Sequence, residues 1–175
     1  MKWKKIKEQI AFKGWRGILQ KTFELPNGQE ATFDIVQTNT FVTIVAFTPR
    51  REVILVRQYR PGPEKTLVSF PEGMVEHNEP PEKAAARELL EETGYQAERF
   101  VLLKQFHSSY STEKQICLLA LNCGKTGEQQ PDHTEFIEVR VLPIEKFRVL
   151  LTNSNDDSFT NVGAGYLALD YLGLL

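Results

Sequence analysis

Gly73-Met74-Val75-Glu76-His77-Asn78-Glu79-Pro80-Pro81-Glu82-Lys83-Ala84-Ala85-Ala86-Arg87-Glu88-Leu89-Leu90-Glu91-Glu92-Thr93-Gly94-Tyr95 is the stretch on which the reading of this chain turns. Its second half predicts a helix starting at Pro81. Proline suits a first helical turn, where the N–H it lacks would have no partner, and it keeps the preceding Pro80 extended. Glu82 falls near the positive end of the helix dipole. Lys83 to Thr93 is dominated by Ala, Leu, Glu and Arg, all good helix formers. Gly94 then closes the helix as a C-terminal cap.

The acids on this helix are crowded. From Glu72 to Glu92 seven glutamates (Glu72, Glu76, Glu79, Glu82, Glu88, Glu91, Glu92) face only Lys83 and Arg87, a local balance of −5 in a chain whose total is −2. Glu88 and Glu92 share one helical face at i,i+4, with Glu91 three residues from Glu88, and like charges so spaced destabilise a bare helix. Something positive is expected between them. Carboxylates are hard oxygen ligands, and Mg²⁺ typically takes one or two of them plus waters and substrate phosphates. Arg87, four residues before Glu91, could hold one carboxylate by a bidentate pair and leave the others for metal. The plain alternative is a solvated acidic face.

Working outward, 175 residues with 41% hydrophobic and 25% charged side chains suit one globular domain with a sizeable core. The apolar runs Phe41 to Phe47 and Ile116 to Leu121 are too short to cross a bilayer. No apolar block follows the lysines at the start, so no secretory signal is expected. Cys117 and Cys123 are too few for a disulfide framework or a four-ligand zinc site. A reducing, cytoplasmic setting is the default, and near-zero charge argues against nonspecific nucleic-acid binding.

The first forty residues read as strands. Trp15 to Glu24 and Glu30 to Gln37 flank the turn Leu25-Pro26-Asn27-Gly28. Strands are also expected at Phe41 to Phe47, Val53 to Tyr59, Thr66 to Phe70, Arg99 to Phe106, Lys114 to Leu121 and Phe136 to Val141. Helices are expected at Ile144 to Leu151 and Phe159 to Leu172. This mixture predicts an α/β sandwich around a mixed sheet.

Gly73, five residues, Glu79, seven residues, then Arg87-Glu88-Leu89-Leu90-Glu91-Glu92-Thr93-Gly94-Tyr95 resembles the Nudix box, G-x5-E-x7-R-E-U-x-E-E-x-G-U with U bulky and apolar. Every specified position fits, with an aromatic residue, Tyr95, where an aliphatic one is commoner. Seven fixed positions at roughly 6% background each make an accidental match a matter of one chain in a million or fewer. The resemblance implies an α/β/α sandwich as a single domain, 1–175, with residues 1–40 an N-terminal antiparallel strand extension and 41–175 the core. It implies Mg²⁺- or Mn²⁺-dependent hydrolysis of a nucleoside diphosphate linked to another group. Glu88 and Glu92 would be the main metal ligands, joined by the backbone carbonyl of Glu72. Glu91 would be a further ligand or hold the catalytic water. Glu79 and Arg87 would fix the loop to the helix, with Gly73 and Gly94 as structural members of the box.

Val56-Arg57-Gln58-Tyr59-Arg60-Pro61, then Ser69-Phe70-Pro71-Glu72-Gly73, and the strand extension are similar to the ADP-ribose and nucleoside diphosphate-sugar pyrophosphatase branch. There Arg60 would bind substrate phosphates, and Arg57 is either a second substrate contact or a surface charge. The stretch His107 to Glu113 lacks a proline that many ADP-ribose hydrolases carry past the box. The loop Gly127 to Val139 resembles the one supplying the catalytic base. Glu135 is the candidate and His133, standing where a glutamate is common, the alternative. A homodimer is implied, in which the N-terminal strands help build the partner's site. Two other readings compete: a sensor that binds a sugar nucleotide without cleaving it, and a hydrolase of damaged nucleoside triphosphates.

Overall fold

A computed structural model describes residues 2–153 and 155–175. It resolves into two compact units. The first comprises the residues up to Thr40 together with Phe106–Gln115; the second comprises Phe41–Gln105 and Ile116–Leu175.

In the first unit β1 (Lys4–Phe12), β2 (Gly17–Glu24) and β3 (Glu30–Gln37) form an antiparallel sheet in that order. The β2–β3 turn closes as expected at Gly28, whose φ of 81° suits a residue without a side chain. β1 carries register shifts after Lys5 and Ile10 and is exposed along all nine residues. Trp3 packs on Phe23 and Phe33, and Phe33 on Tyr110, at ring separations of 5.7–6.3 Å. Trp3 is therefore part of a small aromatic cluster, whereas Trp15 lies 81% exposed.

The second unit is built on β4 (Phe41–Phe47) and β5 (Glu52–Arg60). These strands pair only beside their connecting turn, at Ala46 with Ile54 and Phe47 with Val53, and then separate. β6 (Lys65–Ser69) pairs with β5, and β7 (Glu72–Met74) pairs with β4, opposite Phe41 to Thr43. The chain crosses from one to the other at Phe70-Pro71, where Pro71 accepts a bond from the Ile44 N–H. The separation of β4 and β5 thus seats Glu72 and Gly73 inside the sheet, directly before α1 (Pro81–Thr93). β8 (Tyr95–Gln96), β9 (Arg99–His107), β10 (Lys114–Leu121), β11 (Gly124–Lys125) and β12 (Glu138–Pro143) follow, then α2 (Ile144–Thr152) and α3 (Val162–Tyr171). The sheet order is β12-β5-β4-β10-β9.

Alternation along the central strands feeds two cores. Val42, Ile44, Ala46, Ile116, Leu118 and Ala120 meet Ala84, Ala85 and Leu89 of α1. Val45, Phe47, Cys117 and Leu119 meet Phe147 and Leu151 of α2 and Ala168 and Leu169 of α3. A mixed sheet lies between helices on both faces, as expected.

The strand expected from Trp15 starts at Gly17, and three further boundaries are corrected. The strand expected from Phe136 starts at Glu138, because Phe136 is 86% exposed and belongs to the preceding loop. The helix expected from Phe159 starts at Val162: Phe159 packs on Phe70 and Phe147 and bridges to Val68, while Asn161 is left-handed. The short run ending at Phe70 stops at Ser69.

Candidate active site

The buried stripe of α1 determines which acids meet the sheet. Ala84, Ala85 and Leu89 pack inward, so Glu88 and Glu92, one and two turns beyond Ala84, lie along the edge of the same stripe. Glu92 is only 3% exposed. Glu88 lies against Gly73, where a Cβ would stand 1.9 Å from its carboxyl carbon. Any side chain there would displace the Glu88 carboxyl from its present place, which is a structural reason for glycine at the head of the motif.

Arg87 serves the neighbouring acids. Its Nε and one terminal nitrogen hold both oxygens of Glu79, at 3.2 and 3.1 Å, and that same nitrogen donates to the Met74 carbonyl at 2.9 Å. Its other terminal nitrogen donates to Glu88 at 2.7 Å and Glu91 at 3.1 Å. The expected Glu79–Arg87 pair is thus formed as a bidentate clamp to the loop before the helix, while Glu91, the i,i+4 candidate, takes a single bond. Arg87 holds the Glu79 carboxyl below the usual carboxylate range.

Glu92 is left without such help. It accepts a hydrogen bond from the Glu72 N–H at 3.2 Å, and among the described residues no ion pair to it is seen. Burial, then the charges of Glu88 and Glu135, push its carboxyl well above the usual range. Burial raises Glu88 as well, outweighing Arg87.

Glu135 reaches this cluster through the loop after β11. Thr126 N–H donates to Gly94 O and Gln130 N–H to Glu91 O, pinning that loop to the end of α1. Gln129 then donates to the Ile137 carbonyl across the loop. Gly94 is left-handed, φ 74°, and a Cβ there would stand 2.4 Å from the Gly127 carbonyl oxygen. Glu135 bears electrostatically on both Glu88 and Glu92, whereas the exposed His133 shows no contact with them among the described residues.

On the other side, Arg60 donates to Glu72 Oε1 at 3.0 Å and Asn161 to Glu72 Oε2 at 2.6 Å. Arg57 does not join them. It lies on β5 with the parity of Val53 and Leu55 rather than of Arg60, and pairs with Glu138 at 2.9 Å. Asn161 went unseen in the sequence, since nothing local to Thr160-Asn161-Val162 points to a residue 89 positions earlier.

A NUDIX domain profile matches residues 38–161. The chain belongs to the Nudix family. It is 33% identical over 171 residues to a methanol dehydrogenase activator of Bacillus methanolicus, covering 95% of this chain and 92% of that one. It is 34% identical over 142 residues to an ADP-ribose pyrophosphatase of Bacillus subtilis, covering 79% and 77%. To an ADP-sugar pyrophosphatase of Mus musculus it is 35% identical over 157 residues, covering 78% and 71%. A crystal structure of an ADP compounds hydrolase superimposes with a TM-score of 0.86 at 24% identity, covering all of this chain and 98% of that one, and shares the fold.

Nudix hydrolases generally use divalent metal ions, and this site suits one. The donor set is all oxygen, Glu92 is buried without a cationic partner among the described residues, and Gly73 leaves Glu88 the space beside it. Among the described residues no three acidic, histidine or cysteine side chains converge into a finished cage.

Proposed function

We propose that this Nudix hydrolase cleaves the pyrophosphate bond of ADP-ribose and related nucleoside diphosphate sugars, giving a nucleoside monophosphate and a sugar phosphate. The observation that carries the chemistry is Glu92, a buried acid beside Glu88 and Glu135 with no cationic partner among the described residues. The likeness to ADP-ribose and ADP-sugar pyrophosphatases supports the substrate class.

Glu88, Glu92 and the Glu72 carbonyl would hold Mg²⁺ or Mn²⁺, with Glu91 close by. When bound, the ion lowers the pKa of a water and offsets charge on the diphosphate. Glu135 accepts the proton of the attacking water as its oxygen bonds to phosphorus and the bridging P–O bond breaks. Arg60 turns its planar donor fork from Glu72 to the substrate phosphates. Arg87 and Glu79 keep loop and helix in register.

The working form is proposed to be a homodimer, and the exposed apolar residues of β1 and its flanks support this: Ile6, Ile10, Phe12 and Trp15 are 46–81% exposed. Among the described residues no helix is long and apolar enough to cross a membrane. The two free cysteines are buried, which pushes their thiols up to about 12.

Product analysis on ADP-ribose, other nucleoside diphosphate sugars and nucleoside triphosphates tests the reading. AMP and ribose phosphate from ADP-ribose, dependent on divalent metal, are expected. Cleavage of triphosphates alone would favour the damaged-nucleotide reading, and tight binding without turnover would favour a sensor.

A further inference from the structure

Asn161 stands at the head of α3 in a left-handed conformation, φ 58° and ψ 34°, yet makes no side-chain cap to that helix. An asparagine in this place ordinarily accepts from the first free N–H groups. Here its amide donates instead to Glu72 Oε2 at 2.6 Å. The segment that delivers it is sewn to β6: Val68 N–H donates to Ser158 O at 2.8 Å and Thr160 N–H to Val68 O at 3.0 Å. Phe159, between those two bonds, is locked among Phe70 and Phe147.

Among the partners of Glu72 are two side chains that hold its carboxylate. Arg60 takes Oε1 and Asn161 takes Oε2, while the Glu72 N–H contacts Glu92. Arg60 is the one that a diphosphate competes for, because a guanidinium binds phosphate and carboxylate with the same fork. Asn161 is neutral and has no comparable attraction to an incoming anion.

We infer that Asn161 is a positioning residue, holding the Glu72 carboxylate, and through it the Glu72 backbone beside Glu92, when Arg60 leaves for the substrate. The inference rests on the roles proposed above for Arg60 and the Glu72 carbonyl. It also explains the residue type. The left-handed conformation is open chiefly to Gly, Asn and Asp, and of these only Asn offers a side-chain N–H to a carboxylate.

Asn161→Asp and Asn161→Gly test this, since both keep the backbone conformation and both lose the donor. With ADP-ribose, kcat is expected to fall about 10–100-fold, the range for an outer partner of a metal ligand, while KM moves less than about threefold. Without substrate, the rise in Tm that Mg²⁺ produces in the full chain is expected to shrink by more than half, with the metal-free Tm little changed. A wild-type kcat together with a wild-type Mg²⁺-dependent Tm rise would overturn the inference, as would a change in KM alone. Should Asn161→Asp fail to fold through repulsion from Glu72, Asn161→Gly decides. Should the unaltered protein cleave no sugar nucleotide, the proposed substrate fails, and the Tm comparison still decides the role of Asn161.

Discussion

Glu92 is a carboxyl that folding removes from water with no cationic partner among the described residues. Its carboxyl is raised by burial and by Glu88 and Glu135, so the metal-free folded chain binds that proton more tightly than the unfolded chain does. Stability must then fall as pH rises from the ordinary carboxylate range through the raised value. Glu88 works in the same sense, whereas Glu79, lowered by Arg87, contributes stability that is lost only as pH falls through its own depressed value. In chelator, the Tm of the unaltered protein should decline with pH over the upper window, and Glu92→Gln should flatten that decline and raise Tm at neutral pH. Turnover of Glu92→Gln should drop by more than the roughly 10–100-fold typical of losing an outer metal partner. Undiminished turnover would contradict its place as a ligand. This much was legible in the sequence, because i,i+4 spacing alone puts Glu88 and Glu92 on one face. That Arg87 divides its hydrogen bonds among Glu79, Glu88 and Glu91 and makes none to Glu92 was not legible, since it depends on where the loop carrying Glu79 folds back.

At the scale of elements, the site is a meeting of β7, α1 and the loop after β11, and two glycines set the spacing. Gly73→Ala would drive a methyl group into the Glu88 carboxyl, the free end of a flexible side chain. The fold should survive with Tm close to wild type while activity falls steeply, as circular dichroism and turnover measured together would show. Gly94→Ala meets the Gly127 backbone and occupies a left-handed position. It should lower stability by about 1–2 kcal/mol for the conformation alone, with more from the collision, as denaturant titration would reveal. The helix between these glycines could be read to the residue, because Pro81 and Gly94 mark its ends through covalent geometry. β7, three residues long, exists only through its pairing with β4 and has no period of its own to read. The start of α3 was masked in the same way, since Phe159 is apolar enough to extend a helical pattern but is claimed by the Phe70 and Phe147 rings.

For the whole molecule, the extension before Thr40 is a unit in its own right, completed by Phe106–Gln115, a segment that follows the box by more than ten residues. Val36 bonds to Tyr110 and Thr112 along that segment, a long-range pairing that no local pattern announces. The edge strand β1 exposes Ile10 and Phe12, a surface that isolated chains rarely leave uncovered. Sedimentation should give twice the 20.0 kDa chain mass, and the pair Ile10→Lys with Phe12→Lys should give the single chain. The central claim, that the buried acids of the box persist because a divalent cation joins them, is tested most directly by calorimetric titration of Mg²⁺ and Mn²⁺ into the intact protein and into Glu92→Gln. Saturable uptake by the first and its loss or marked weakening in the second is the predicted result; equal uptake by both, or none by either, would contradict it.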